Sequence, residues 1–441
     1  MKKYYFVTEL RLSDFPACVK PFYTNAKCKS DALIGIKAAL IAIICYGMLA
    51  PRLRVKYIYN FFISMILLNL LCIGPTGKGK SFVRYIFNFI LKYLIIRDNK
   101  ERDMENDYKK KQKSKAPNAK RDEEPLFAHR ILQKFTIPIA VKLIDNIRRR
   151  YGDILPFILY GDELGWFTEN KRGSNEFPAI ARTAYNLGEI YSRDTLYEGG
   201  FNACVDVCWN SIICGQDSTL AKYITKEGIT AGDPSRQILI RLGEEIGEEA
   251  PTMKPFDEEQ KHCIYDTVNR LMNETFTDDD QLGPVHEVDM SWLDKDVVAW
   301  CDQQREIIAK SSSHALDSFY GRASESAFRI ATICYYLFDE DITKRKNVRH
   351  IYWFFAQFIV NGQMEQWGKE FEAAIPKDKE TTIGRPSLFD LMPKRFSRQQ
   401  LRDMIAKEGI KSAARKFIHI WSQKKWIYEV EGQPDTYEKL Y

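Results

Sequence analysis

One short stretch of the sequence, residues 74–81, constrains the fold more than any other part of the chain. It follows an apolar run at 67–73 and precedes a segment, 82–96, whose apolar residues recur at helical spacing. Its pattern is glycine, four residues, then Gly-Lys-Ser, and such glycines let backbone N–H groups surround phosphate oxygens at a helix N-terminus. The sequence therefore predicts a strand, a phosphate-binding loop and a helix. The predicted nucleotide-binding residues are Gly74, Pro75, Thr76, Gly77, Lys78, Gly79, Lys80 and Ser81.

Two acidic residues follow a later apolar run. Residues 155–160 (LPFILY) predict a buried strand, and Asp162 and Glu163 come after it. Taken alone, this pattern is also typical of a solvated strand end. Because the carboxyl ends of parallel strands meet at one edge of a sheet, we expect both acids near the phosphate loop. Lys80 is then predicted to contact the β- and γ-phosphates of ATP, Ser81 and Asp162 to hold Mg²⁺, and Glu163 to orient the attacking water.

Two further side chains are candidates for catalysis. Gln216 follows an apolar run at 209–214 and is a candidate for reading the γ-phosphate from the next strand end, although capping of the following turn explains it equally well. Arg236, in the sequence Asp-Pro-Ser-Arg, is a candidate arginine finger for the nucleotide of a neighbouring subunit. A surface or structural ion pair explains Arg236 equally well.

The order of predicted elements indicates an α/β fold. Strands at 130–135, 155–160 and 209–214 alternate with helices at 140–151 and 177–191, and a further strand or helix is predicted at 237–242. This alternation favours a parallel sheet covered by helices, as in a P-loop NTPase core of the RecA/AAA type. The predicted domains are 1–66 (a helical segment packed on the core), 67–243 (the ATPase core), 244–384 (a helical subdomain) and 385–441 (a winged helix).

Residues 97–125 form a charged insertion within the predicted core. A segment with so few apolar positions has no face to bury. We therefore expect an exposed helix or a mobile insertion there.

Two apolar runs invite comparison with membrane spans. Residues 61–73 are too short, since a span needs about 20 residues. Residues 32–50 are long enough but contain Lys37, and a lysine at the centre of a membrane helix costs about 2.5–3.5 kcal/mol. The sequence favours a buried helix at 31–49 over a membrane anchor. Cysteines within apolar runs and an N-terminus without a signal-peptide pattern favour a cytoplasmic protein.

The C-terminal part of the chain is basic. Residues 393–441 contain 11 lysines and arginines against 6 acids, which is +5 of the total net charge of +6. Two helices at 399–407 and 412–424, followed by strand candidates at 426–430 and 436–440, predict a winged helix. Its second helix is the candidate reader of DNA, and protein contacts or intramolecular packing are the alternative. The predicted DNA-binding residues are Lys411, Arg415, Lys416, Lys424 and Lys425.

Taken together, five pieces of the sequence resemble a P-loop ATPase family, a domain of unknown function, that bacterial mobile elements and phages carry. They are LLCIGPTGKGKS (70–81), FILYGDELG (157–165), WNSIICGQ (209–216), GDPSR (232–236) and SAFRIA (326–331). The family is similar to helicase-type and primase-associated replication ATPases. The resemblance implies an ATP-dependent role in replicating or mobilising DNA, a buried helix at 32–50, and a primase-like part upstream in longer members.

These observations predict an Mg²⁺-dependent ATPase that acts on DNA as a homo-oligomer, helicase-like or associated with replication or mobilisation, with a primase or another replication protein as a candidate partner. Two alternatives stay open. One is a DNA-binding regulator that nucleotide switches with little turnover. The other is a membrane-associated ATPase anchored through residues 32–50.

Overall fold

The computed structural model describes most of the 441 residues and divides them into two compact units, 1–305 with 314–374, and 306–313 with 375–441. The described residues are 7, 9–60, 62–75, 77, 79–116, 118–133, 135–167, 176–185, 190–193, 203–243, 249–375, 388–410, 413–423, 426–430 and 432–440.

Helices make up most of the regular structure. The α-helices are α1 (Lys20–Asn25), α2 (Ile34–Leu49), α3 (Lys80–Ile90), α4 (Lys92–Ser114), α5 (Ile137–Tyr151), α6 (Glu176–Tyr185), α7 (Asp217–Tyr223), α8 (Lys226–Thr230), α9 (Glu258–Thr275), α10 (Asp294–Ser311), α11 (His314–Leu337), α12 (Arg345–Gln363), α13 (Lys369–Ala374), α14 (Leu388–Leu391), α15 (Arg398–Lys407) and α16 (Ala414–Gln423). The strands are β1 (Ala26–Lys27), β2 (Leu53–Lys56), β3 (Ile63–Met65), β4 (Asn69–Ile73), β5 (Ile131–Leu132), β6 (Phe157–Gly161), β7 (Ile190–Arg193), β8 (Ala203–Asp206), β9 (Trp209–Gly215), β10 (Ile238–Arg241), β11 (Thr252–Met253), β12 (His286–Glu287), β13 (Arg395–Ser397), β14 (Ile427–Glu429) and β15 (Thr436–Lys439).

The first unit is built on a parallel sheet of five strands in the order β10-β4-β9-β6-β5. All four pairings are parallel. The α/β class and the parallel sheet are therefore as predicted, and the segment at 237–242 contains a strand. Strand β9 lies between β4 and β6, so the ends of these three strands are neighbours at one edge of the sheet.

Helices cover both faces of this sheet. On one face, the Phe87 ring of α3 stacks on the Tyr160 ring of β6, with 4.0 Å between the ring centroids. On the other face, Phe157 and Leu159 of the same strand share a buried cluster with Ile144 of α5. Alternate residues of a strand point to opposite faces, so the nearly continuous apolar sequence of β6 is what a strand buried on both faces requires.

Helix α2 is the buried helix predicted at 31–49. All of its residues except Gly35 are buried. Its single charged residue, Lys37, forms an ion pair with Asp31 at 2.7 Å and donates a hydrogen bond to the Arg241 carbonyl oxygen at 2.7 Å. A buried ammonium needs such partners because an unpaired charge in the interior is costly. None of the helices in the described part of the chain is long and apolar enough to cross a membrane.

The charged segment after α3 differs from its prediction. Helix α4 runs to Ser114, and its Asp98 and Glu101 are 0% and 4% exposed. Asp98 accepts hydrogen bonds from the Arg130 and Ile131 N–H groups at 2.8 and 2.6 Å, and Glu101 accepts one from the Ala128 N–H at 3.0 Å. The expectation that this segment buries nothing is therefore wrong for its first turns, whose carboxylates satisfy backbone groups at the edge of the sheet.

A second predicted element is also shorter than expected. The helix predicted at 177–191 ends at Tyr185, and Ile190–Arg193 is instead strand β7, paired antiparallel with β8. Cross-strand pairing supplied by residues outside the segment decides its structure, and the sequence of the segment alone does not contain that information.

The region predicted to be helical after residue 257 contains the long helices α9 to α12. Helices α11 and α12 pack together, and α12 also packs on strand β10. Arg329 of α11 is buried, donating to the Leu67 carbonyl oxygen and to Glu325, both at 2.7 Å. The segment SAFRIA (326–331) thus lies in helix α11, whose Arg329 donates a hydrogen bond to the backbone just before β4.

The second unit has its own small core. Strands β13, β15 and β14 form an antiparallel sheet in that order, with helices α15 and α16 between β13 and β14 in the chain. The aromatic side chains of Phe396 and Trp421 meet in the core, and Phe417 and Ile420 pack against it while partly exposed. The two helices followed by two strands are as predicted from the sequence, whereas strand β13 before them was not predicted.

Candidate functional site

The glycine loop connects β4 to α3. Gly74 donates its N–H to the Gly215 carbonyl oxygen at 3.0 Å, and Gly77 and Gly79 have φ of 79° and 101°. A Cβ at position 79 would come within 3.0 Å of the Leu242 side chain, so both backbone and packing favour glycine there. Helix α3 begins at Lys80, and the first N–H groups of a helix have no intrahelical acceptor. Of the predicted nucleotide-binding residues, Thr76 and Lys78 lie outside the described residues.

The two predicted acids lie beside this loop. The Lys80 ammonium donates to the Glu163 carboxylate at 2.7 Å. Strands β4 and β6 flank β9, so the ends of these two strands are about 10 Å apart. A lysine at the first position of α3 therefore has to extend across the end of β9 to reach Glu163. The strand order thus brings together Lys80 of the glycine loop and the strand-end carboxylate of Glu163, a contact that the sequence did not predict.

Within the described part of the chain, Asp162 accepts three hydrogen bonds. Arg84 donates to both of its oxygens, from Nε at 3.1 Å and from Nη2 at 2.5 Å, and the Tyr160 hydroxyl donates at 2.7 Å. The hydrogen bond to Asp162 raises the pKa of Arg84. Burial, followed by the hydrogen bond to Asp162, raises the pKa of Tyr160. Both donors therefore keep their protons at neutral pH.

Arg84 and Tyr160 were missed by the sequence reasoning. Arg84 lies four residues after Lys80, so both cations project from one face of α3. Tyr160 is two residues before Asp162, near the end of the buried strand. The spacing from Lys80 to Arg84 is the one signal that the sequence offered for this arrangement.

Gln216 lies between the loop and the acids. It follows β9 directly, and Ile73 and Gly161 pair with Gly215 and Ile213 of that strand. Gln216 is also the N-cap residue of α7, with its N–H donated to the Thr219 hydroxyl at 3.0 Å. Gln216 therefore both caps α7 and lies at the end of β9, at the edge of the sheet. Its contact with a phosphate stays a prediction.

Arg236 lies at the end of a 3-10 helix, Pro234–Arg236. Its Nη1 donates to the Gly232 carbonyl oxygen at 2.9 Å. Burial, followed by the nearby charge of Arg322, lowers the pKa of Arg236. Across the residues that the structure describes, no hydrogen bond of Arg236 reaches Lys80 or the two acids. A role toward a neighbouring subunit stays a prediction.

Ser81 and Asp162 are the residues predicted to hold a nucleotide-bound Mg²⁺, and in the structure Arg84 and Tyr160 donate to Asp162. Magnesium usually takes one or two protein oxygens and completes its shell with phosphates and waters. Ser81 is exposed in the first turn of α3, and Asp162 is half-buried at the strand end. Within the described ranges, no group of three or more His, Cys, Asp or Glu side chains could hold a metal by itself. A metal held by Ser81 and Asp162 stays a prediction.

The candidate DNA-binding residues are partly described. Arg415 and Lys416 are exposed on α16, on the side opposite the buried Ala414 and Trp421. His419 is exposed one turn further along the same side. Lys411, Lys424 and Lys425 lie outside the described residues.

Comparisons with models of protein families and with curated protein sequences give no match for this chain. The resemblance to the ATPase family of mobile elements and phages therefore stays a prediction.

Proposed function

We propose that this chain is a P-loop ATPase, with a core of the RecA/AAA type and a C-terminal winged helix, that hydrolyses ATP with Mg²⁺ and acts on DNA. The observation that carries the proposal is the meeting of Lys80, from the start of α3, with Glu163, from the end of β6. A glycine loop, a helix start, a lysine and two strand-end acids at one sheet edge are the parts that phosphoryl transfer to water requires.

Each side chain then has a definite task. ATP supplies the γ-phosphoryl group, and Mg²⁺ neutralises charge on its oxygens. Lys80 donates to phosphate oxygens when released from Glu163, and the N–H groups of the loop and of the first turn of α3 do the same. Glu163 orients and deprotonates the attacking water. Asp162 and Ser81 would hold the metal, which requires that Arg84 release the Asp162 oxygens, while Tyr160 positions Asp162.

The winged-helix assignment is supported by the order of elements in the second unit. Two helices are followed by a two-stranded hairpin, β14 and β15, and α16 exposes Arg415 and Lys416. Basic residues on an exposed helix face bind DNA phosphates without regard to sequence. Replacing Arg415 and Lys416 with alanine is expected to weaken DNA binding uniformly and to reduce its salt slope by about two. Unchanged affinity and slope would remove this helix from the DNA interface.

The first test is steady-state ATP hydrolysis by the purified chain with Mg²⁺, with and without single-stranded or duplex DNA. Hydrolysis that DNA stimulates, and that Lys80→Ala abolishes, is the expected result. Tight ATP binding without turnover, with or without DNA, would favour the nucleotide-switched regulator. The pairing of both strand-end acids with cations of α3 gives that alternative a structural basis, since nucleotide binding would rearrange both pairs.

A further inference from the structure

Helix α4 continues well past the residues that attach it to the sheet. Its last buried residue is Glu101, and residues 103–114 have no buried side chain. At 1.5 Å per residue, the helix extends about 20 Å from Glu101 to its end. A helix that is polar on all sides gains little from core packing, so its stability depends on local ion pairs and on the chain that returns beside it.

The end of α4 and the residues after it carry a dense cluster of positive charge, which we call the basic segment (residues 109–121). The segment contains seven lysines and arginines and no acid, so its charge of +7 exceeds the +6 of the whole chain. Six of the seven side chains are exposed, and Lys115 is half-buried. The seven are Lys109, Lys110, Lys111, Lys113, Lys115, Lys120 and Arg121.

One carboxylate holds the basic segment against the helix. Asp122 accepts hydrogen bonds from the Lys115 ammonium at 2.7 Å and from the Gln112 amide at 2.8 Å. The Tyr108 hydroxyl donates to the Asp122 carbonyl oxygen at 2.8 Å. The hydrogen bond from Lys115, followed by the one from Gln112, lowers the pKa of Asp122 to about 2, so Asp122 is ionised at neutral pH. The chain is therefore folded back on α4, and the cations of both stay together despite their mutual repulsion.

Three cations of the segment have no carboxylate partner. Across the described residues, Lys113, Lys120 and Arg121 form no ion pair, whereas the other four cations each do. The pairs of those four are Lys109 with Glu105, Lys110 with Asp107, and both Lys111 and Lys115 with Asp122. Because pairs between exposed side chains contribute little, a phosphate can replace these carboxylates as the partner.

The chemistry of the segment favours one class of partner. The segment contains no aromatic or large aliphatic side chain, which a helix bound to a membrane surface uses as its anchor. Protein–protein interfaces are enriched in aromatic residues and depleted in lysine. A block of lysines without apolar residues is instead typical of segments that bind nucleic acid, where each contact with a phosphate releases a counterion. Lysines act as point charges, so we expect no reading of the bases.

We propose that the basic segment binds the phosphate backbone of a nucleic acid without regard to base sequence. This surface belongs to the first unit and is additional to Arg415 and Lys416 of α16. Only the identity of the nucleic acid as DNA rests on the function proposed above. The charge complementarity depends neither on ATP hydrolysis nor on the winged helix.

Removing the three unpaired cations tests the proposal. The triple variant is Lys113→Ala, Lys120→Ala and Arg121→Ala. The matched control loses three exposed lysines of helices α8, α10 and α12, through Lys226→Ala, Lys295→Ala and Lys346→Ala. Binding of a fluorescent DNA duplex is followed by anisotropy, without nucleotide, from about 50 to 200 mM salt. Each phosphate contact contributes about 0.9 to the salt slope, so the slope should fall by up to about 2.7 in the triple variant alone. The gain in affinity from high to low salt should then be up to about 40-fold smaller.

A second variant should have the opposite effect. Glu123 is exposed directly after the segment, and within the described ranges it forms no ion pair. Glu123→Gln removes a carboxylate that repels phosphate, so it should tighten duplex binding by up to about fivefold. Glu259→Gln, at an exposed position of α9, should leave duplex binding unchanged.

The outcomes separate this proposal from the ATPase proposal. An unchanged salt slope in a triple variant that keeps the melting temperature of the unmodified chain overturns the basic segment as a nucleic-acid surface. Loss of binding to vesicles of anionic phospholipid, with duplex binding unchanged, would also overturn it and assign the segment to a membrane surface. A chain that hydrolyses no ATP, yet shows the reduced slope in the triple variant alone, would refute the ATPase proposal and support the basic segment. DNA-stimulated hydrolysis together with an unchanged slope would do the reverse.

Discussion

Replacing Glu163 with glutamine is expected to separate nucleotide binding from hydrolysis. In the structure the Glu163 carboxylate accepts a hydrogen bond from the Lys80 ammonium at 2.7 Å. The same ammonium is the group that a phosphate ligand needs. Glutamine keeps the size of the side chain but removes its charge, so Lys80 is held less strongly and is more available to phosphate.

The size of the binding effect follows from the exposure of the pair. The side chains of Lys80 and Glu163 are 23% and 36% exposed, so solvent screens their attraction. Such pairs contribute about 0.2–1 kcal/mol, which limits the gain in ATP affinity to about fivefold. Loss of a general base lowers turnover much more, by about 10²- to 10⁴-fold. Binding and turnover should therefore change in opposite directions.

Two measurements on one protein preparation check that ATP binding and turnover change in opposite directions. Titration of a fluorescent ATP analogue gives the dissociation constant, and phosphate release at saturating ATP and Mg²⁺ gives the turnover. Glu259→Gln, which removes an exposed carboxylate on α9, controls for the change in net charge. If Glu163→Gln binds ATP more weakly than the unmodified chain, the ion pair does not compete with phosphate. If it hydrolyses ATP at the original rate, Glu163 is not the base.

Three further changes have definite outcomes. Gly79→Ala places a Cβ 3.0 Å from Leu242 at a φ of 101°, and strain of about 1–3 kcal/mol should weaken ATP binding about tenfold, as the same titration would show. Arg84→Ala removes two hydrogen bonds from Asp162 and should lower the Mg²⁺ concentration required for half-maximal ATP binding by up to about fivefold, since Arg84 is largely exposed. Asp31→Ala leaves the buried Lys37 ammonium without its carboxylate and should destabilise the first unit by about 3 kcal/mol, whereas Asp31→Ala combined with Lys37→Met removes the whole pair and should be nearly neutral, a contrast that thermal melting would detect.

The parts of the site that could be predicted depend on short segments. The strand, the glycine loop and the start of α3 lie within about twenty consecutive residues, and each carries a local pattern. Asp162 and Glu163 were predicted near the loop because parallel strands end at a common edge. In the structure the Lys80 ammonium donates to the Glu163 carboxylate, although 83 positions separate the two residues.

Other contacts in the structure could not be predicted from any local sequence pattern. Lys37 was predicted to be buried, but its carbonyl acceptor belongs to Arg241, 204 positions away. Asp98 and Glu101 were expected in solvent because charge dominates their segment, whereas their partners are N–H groups of residues 128–131. An edge strand leaves such groups unpaired, and a nearby carboxylate on a helix can satisfy them. The composition of the segment does not show which of its carboxylates accept hydrogen bonds from backbone N–H groups.

Ion pairs join the start of helix α3 to the end of strand β6 at the candidate site. Lys80 and Arg84 lie one turn apart on the same helix, and they pair with Glu163 and Asp162, which are adjacent at the end of one strand. A ligand that takes Lys80 from Glu163 removes one of the two ion pairs that, among the described residues, join this helix to this strand end. The remaining pair is more exposed at its arginine and therefore more easily exchanged with solvent or metal. Phosphate at the loop would compete with Glu163 for Lys80, and a metal at Asp162 would compete with Arg84, so each ligand is expected to break one of these two ion pairs.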